Sequence, residues 1–267
     1  MKIRRTREAS LTLSLALMIV GPNAAPADDR PTVIVELFTS QGCSSCPPAD
    51  LLLTQLGNGG APAGVRVIPL SFHVDYWDYI GWKDPFSSPE WSKRQRRYAR
   101  ALRLDTVYTP QLVIQGGAEL VGSQEAEVHR QIEHAAEQES PVLLSLSVDA
   151  STDDMDSLAV TVEAKLNGTL PDRELHAMVA LFEENLETPV ERGENARRTL
   201  RNDFVVRELR LAFVIHPKAI GTEDASAVFE LEPGWNRDNL GLAAFVQDPK
   251  SMQILGAAVT RPSNRPQ

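Results

Sequence analysis

The sequence predicts an α/β domain followed by an all-β, sandwich-like domain. Three observations lead there. Strand and helix signals alternate over residues 32–139. Helix signals nearly vanish after Pro141. Two cysteines, the only ones in the chain, sit three apart where the first strand gives way to the first helix.

Taking the elements in order, Thr32 to Thr39 (TVIVELFT) is β-branched and apolar, as a buried strand is. Pro47 and Pro48 are tolerated only near a helix start, because proline lacks the amide donor. They fix a helix through Leu51, Leu52, Leu53 and Leu56, ended by Gly57-Asn58-Gly59-Gly60. Val65 to Phe72 is a second strand, and an aromatic-rich excursion from His73 to Phe86 follows. Ser88-Pro89-Glu90 reads as a helix start: a serine cap, proline in the first turn, and an acid at the positive end. Thr109-Pro110 opens a strand over Gln111 to Gln115. Gly116-Gly117 turns it into an antiparallel partner, Ala118 to Val121. Ser123 then caps a last helix with Val128, Ile132, Ala135 and Ala136 on one face. Beyond Pro141, seven strand-like runs in about 120 residues point to a β-sandwich. The polar stretch Arg192 to Arg201 reads as a connection between two of them. The expected division is 28–140 and 141–260, with a loose tail over 261–267.

Residues 1–27 read as a signal peptide. Lys2, Arg4, Arg5 and Arg7 precede a short apolar run, Leu11 to Val20, and Ala25-Pro26-Ala27 offers small residues for cleavage. The run is about half of the ~20 residues that span a bilayer, so no membrane insertion is expected after its removal, and the mature chain is expected in the periplasm or secreted. The chain carries 27 basic and 36 acidic residues, a net charge of −9. Loss of the basic leader makes it more negative. That argues against nucleic acid as a partner.

A disulfide placed for stability would span more chain than Cys43 to Cys46. The chain-entropy model gives about 1.9 kcal/mol for a four-residue loop, against about 4.7 for a 100-residue loop. Redox or metal chemistry is the better use of this pair. At a helix N-terminus, backbone N–H groups and the positive dipole end favour a thiolate. Cys43 is then the attacking sulfur and Cys46, one turn in and more buried, the resolving one.

A strand, C-x-x-C and a helix, with Thr-Pro opening a later antiparallel hairpin, resemble the thioredoxin superfamily over residues 32–139. More closely, Glu36-Leu37-Phe38-Thr39-Ser40-Gln41-Gly42-Cys43-Ser44-Ser45-Cys46-Pro47-Pro48-Ala49-Asp50, with His73-Val74-Asp75-Tyr76-Trp77-Asp78 and Arg94-Gln95, resembles an exported, mostly bacterial family catalogued as a domain of unknown function. The superfamily resemblance implies a cis bond at Thr109-Pro110, with the Thr109 backbone free to pair with an extended substrate. It also implies a buried acid beneath the pair. The usual position for that acid is occupied by Leu37, so Glu36 takes the role only if the register shifts by one.

The leading expectation is an exported thiol–disulfide oxidoreductase acting on protein thiols through Cys43 and Cys46. Thr109, Pro110 and Glu36 assist, no cofactor is needed, and a protein thiol or disulfide is the substrate or redox partner. The alternatives are copper or zinc handling by Cys43, Cys46 and His73, and a non-catalytic partner-binding module. Trp77, Tyr79 and Trp82 are candidates for the floor of a substrate groove.

Overall fold

The computed structural model describes residues 30–148 and 156–261. The expected signal peptide, and the tail beyond Arg261, lie outside the described residues.

The apolar run at the start forms β1 (Thr32–Thr39), which leads through the cysteine turn into α1 (Pro47–Gln55). Then come β2 (Arg66–His73), α2 (Pro89–Leu102), β3 (Gln111–Ile114), β4 (Ala118–Val121) and α3 (Glu125–Ala136). Ser88 caps α2 by accepting a hydrogen bond from the Glu90 N–H at 3.2 Å. At α3 the cap position is Gln124 rather than Ser123, and no side chain closes it. β1 and β2 are parallel, in register from Thr32 opposite Arg66 to Thr39 opposite His73. β3 runs antiparallel to β1, and β4 to β3.

The second half is strand-rich: β5 (Val142–Val148), β6 (Ser157–Leu166), β7 (Leu175–Glu183), β8 (Leu186–Val190), β9 (Arg198–Asn202), β10 (Val205–Ile215), β11 (Gly221–Glu230), β12 (Leu240–Gln247) and β13 (Ile254–Thr260). β8 and β9 form a hairpin of their own. They fall partly on the stretch that reads as a mere connection.

The expected boundary at residue 140 does not coincide with a break in the structure. One eight-stranded sheet runs β13-β12-β7-β10-β2-β1-β3-β4. Its two halves join where β10 meets the free edge of β2, with Val205 opposite Ser71 and the Ser71 N–H donating to the Phe204 carbonyl at 2.8 Å. Phe204 also packs against Gly57, so close that any Cβ there would overlap its ring.

Strand alternation sorts the core. From β1, Val33, Val35 and Leu37 face α1 and α3, where Leu52, Leu53, Val128 and Ile132 cover them. Ile34 and Phe38 face α2. There they share one buried cluster with Trp91, Tyr98, Phe182 and Phe245, so α2 is seated on strands from both halves. On the opposite face of β7 and β12, a three-stranded sheet β11-β6-β5 packs Leu158, Val160, Val162 and Phe229 against Val179, Leu181 and Leu242. The sandwich is therefore a second layer on a shared sheet. Among the described residues, no helix is long and apolar enough to cross a membrane.

Candidate functional site around Cys43 and Cys46

Cys43 and Cys46 are joined as a disulfide at the C-terminal end of β1, and Cys46 is the residue immediately before α1. The Ser45 hydroxyl lies 3.3 Å from Cys43 Sγ, and the Thr109 carbonyl oxygen 3.9 Å from it. The Thr109–Pro110 bond is cis. Cys43, Cys46, Thr109 and Pro110 thus meet at one sheet edge.

Two expectations about the cysteines need correction. Cys43 is no more open than its partner: the two are 1% and 0% exposed. The backbone also supplies fewer free donors than a helix start usually does. Pro47 and Pro48 have no N–H, and the Ala49 and Asp50 N–H groups both donate to the Cys46 carbonyl. The Ser45 hydroxyl is the donor closest to hand.

Burial of Cys43 goes with the β8–β9 hairpin, whose tip sits on the cysteine turn. Asn195 donates from Nδ2 to the Gln41 and Cys43 carbonyls, both at 2.9 Å, while its Oδ1 accepts from Arg198. The Glu194 carboxylate accepts the Ser44 N–H at 3.0 Å, and the Ser44 side chain and then this backbone bond hold its pKa below the usual carboxylate value. Lower down, Gln41 Nε2 donates to Thr188 of β8 and Asn202 of β9, and Gln41 Oε1 accepts from the Trp82 indole. Trp77 packs close to Gly42. Tyr79, by contrast, stands 84% exposed.

Asn195→Ala deletes two of the bonds that tie the tip to the turn, leaving the one from the Ser44 N–H to Glu194. At about 0.5–1.5 kcal/mol net for each bond, the closed arrangement loses enough to make reduction by dithiothreitol about tenfold faster. Stopped-flow following of intrinsic fluorescence checks this. An unchanged rate means the disulfide is reached without moving the hairpin.

A buried acid–base group lies at the same edge. β1 and β2 end side by side, with Thr39 opposite His73. The Thr39 hydroxyl donates to Asp50 Oδ1 at 2.7 Å, and Asp50 stands one helical turn after Cys46. Burial drives the Asp50 pKa up to about 6, although His73 and Thr39 oppose it. His73 is fully buried with Nδ1 2.7 Å from Asp84 Oδ2. Burial disfavours its charge, but Asp84 and then Asp50 hold its pKa above the ordinary imidazole value. Burial likewise pushes Asp84 up, yet His73 and the Gln41 and Phe86 N–H groups bring it below its usual range. Asp84 also fixes the cysteine turn by accepting the Gln41 N–H at 2.7 Å. His73 Nε2 has no hydrogen-bond partner among the described residues. Asp50 borders a groove of about 440 Å³ between α1 and β9, walled by Leu51, Thr54, Arg198 and Arg201.

Glu36 is elsewhere. Alternation along β1 turns it away from α1, toward α2. There Arg94 grips it with Nε to Oε2 at 2.6 Å and Nη2 to Oε1 at 2.8 Å, and the Tyr98 hydroxyl donates to Oε1 at 2.5 Å. Gln247 of β12 joins by accepting from Arg94 and donating to Tyr98. Glu36 thereby fastens β1, α2 and β12 together, on the face of β1 opposite the one that α1 covers.

The copper or zinc expectation relied on His73 beside two free thiols. In this structure the thiols are bonded to each other. No group of three or more His, Cys, Asp and Glu side chains among the described residues is arranged to hold a metal ion. Of the site's residues, Asp84 is missed by the sequence reading because nothing local marks it, and Asp50 enters that reading only as part of the family motif, with no role of its own. Gln41, Glu194 and Asn195 are missed because about 150 residues separate the turn from the hairpin.

Fold and site together define a mixed-sheet protein that closes a C-x-x-C disulfide beneath its own hairpin. The chain belongs to the family described as Protein of unknown function (DUF1223), whose model matches residues 34–247. Two solved structures resemble it throughout. Protein AGR_C_4864 from Agrobacterium tumefaciens is 24% identical with a TM-score of 0.67, covering 88% of this chain and 96% of that one. HBP35 of Porphyromonas gingivalis is 16% identical with a TM-score of 0.68, covering 89% and 79%. At these identities the likeness is one of fold. None of the curated proteins compared with the chain matches it.

Proposed function

We propose that this protein is a thiol–disulfide oxidoreductase acting on protein thiols outside the cytoplasm, with a thioredoxin-like unit as its first half. The observation that carries the reading is Cys43 Sγ lying 3.9 Å from the Thr109 carbonyl, at the mouth of α1. An extended peptide pairing with that backbone presents its sulfur to Cys43. Support for the thioredoxin-like unit comes from the order strand, helix, strand, helix, strand, strand, helix, with the sheet order β2-β1-β3-β4.

The chemistry balances with two substrate thiols and no cofactor. A substrate thiolate attacks Cys43 Sγ, the Cys43–Cys46 bond breaks, and Cys46 leaves as a thiolate that takes up a proton. A second substrate thiolate attacks the sulfur of the first, and Cys43 leaves with its electron pair. The substrate is oxidised to a disulfide and the protein reduced to a dithiol. Run in reverse, Cys46 must lose its proton to attack the mixed disulfide. Asp50 is the acceptor suited to that step: it lies four residues on, on the same helix face, and burial raises its pKa to about 6.

The test is a trap. Cys46→Ser is expected to retain substrate as a mixed disulfide on Cys43, released by dithiothreitol and seen on non-reducing gels, while Cys43→Ser retains none. If both variants retain nothing from an extract enriched in exported proteins, the oxidoreductase reading fails.

A further inference from the structure

We propose a second site, for a compact phosphate-type oxyanion, in the cleft between the end of α2 and the turn at 249–252. The cleft measures about 180 Å³ and is lined by Arg97, Arg100 and Lys250 together with Ala101, Pro249 and Met252. Three cationic residues line it in a chain whose net charge is −9.

Arg97, Arg100 and Lys250 make no side-chain hydrogen bond or ion pair among the described residues, although Arg97 is only partly exposed. The nearby carboxylates are spoken for. Asp248 accepts the Lys250 and Ser251 N–H groups on Oδ1 and pairs with Arg173 through Oδ2 at 3.2 Å. Glu36 is bound by Arg94 and Tyr98. Partial burial and the neighbouring Arg94 and Arg100 charges lower the Arg97 pKa, the direction that an anion in the cleft would reverse.

Attraction of cations to a helix C-terminus explains Arg100, which lies in the last turn of α2. It does not explain Arg97, further from that end, or Lys250, which belongs to a different element. The volume is below the 300–1,000 Å³ typical of sites for whole organic ligands. It suits a small group with several acceptor oxygens, which guanidinium forks bind well. The site is separate from the cysteine pair and does not depend on the reading of its chemistry.

The experiment compares thermal unfolding in sodium phosphate and in sodium chloride, at equal pH and ionic strength. Phosphate is expected to raise the midpoint saturably. The double variant Arg97→Gln/Lys250→Gln is expected to keep the chloride midpoint and to bind phosphate at least about tenfold more weakly, since each lost charge-assisted bond is worth about that factor. Sedimentation with phosphatidylcholine vesicles, with and without phosphatidic acid, then tells a lipid phosphate from a free one. Equal midpoints in the two salts, or a phosphate response that survives the double substitution, overturn the proposal.

Discussion

Replacing Arg94 by methionine is expected to cost about 3–5 kcal/mol of stability, because it leaves the Glu36 carboxylate buried without its partner. The guanidinium gives Glu36 two hydrogen bonds, gives Gln247 one at 3.2 Å, and lies over the Phe72, Tyr98 and Phe245 rings at 5.3–5.4 Å. Burial disfavours its charge, yet Glu36 keeps its pKa above even the usual arginine value. Glu36→Gln is expected to be damaging for the converse reason. The double substitution Glu36→Leu/Arg94→Met removes both charges and is expected to recover much of the loss. Urea midpoints of the wild type, Glu36→Leu, Arg94→Met and the double variant close the cycle, with Glu36→Gln measured beside them. The same set separates structure from relay: Glu36→Gln is expected to lower the midpoint while leaving the pH profile of thiol exchange in place. A shifted profile at an unchanged midpoint would restore Glu36 as the acid that serves the cysteines.

Asp50→Asn is expected to act in the opposite direction on stability. The folded pKa is about 6 against 3.8 for the free side chain. Between those values the folded protein holds a proton that the unfolded chain has lost, so stability falls as pH rises from about 4 to about 6 and stays lower above. Two units correspond to about 3 kcal/mol as an upper bound. Asparagine keeps an oxygen for the Thr39 hydroxyl and cannot ionise. The variant is therefore expected to be more stable at pH 7 and to lose the decline between pH 4 and 6. Neighbouring groups leave that window readable. The Asp84 contribution is lost only as pH falls below 3.8, and the His73 contribution only as pH rises above 6.5 through its raised folded value. On the oxidoreductase reading, the same variant resolves mixed disulfides more slowly near neutral pH. Greater stability with an unchanged rate would make Asp50 a mere burden of burial. Calorimetry across pH, paired with stopped-flow exchange, distinguishes the two.

Local chemistry made several elements readable. The run of β-branched residues marks β1 with the same ends the structure has, and Ser88-Pro89-Glu90 marks the start of α2 because cap, proline and acid all act within one turn. What could not be read was long-range. β10 pairs with β2 through a single residue pair more than 130 positions apart, and no pattern within either strand records the partner. β8 and β9 are short and mostly polar on the outside, so their periodicity is weak. Glu36 was visible as an acid in an apolar strand, but its face depends on which helix covers it. Asp50 was visible as part of CSSCPPAD, but its raised pKa comes from burial, which only the closed fold supplies and which outweighs the opposing effects of His73 and Thr39.

The continuous sheet has a consequence for anyone wishing to shorten the chain. Cutting after residue 140 would remove the Val205–Ser71 junction and every strand that continues the sheet beyond β2. It would also unroof the side of α2 that rests on Phe182 and Phe245. Such a fragment carries its cysteines intact, yet its open flank invites strand-to-strand sticking between copies. Clumping of the fragment would then report a torn edge, and would say nothing against the sulfur chemistry.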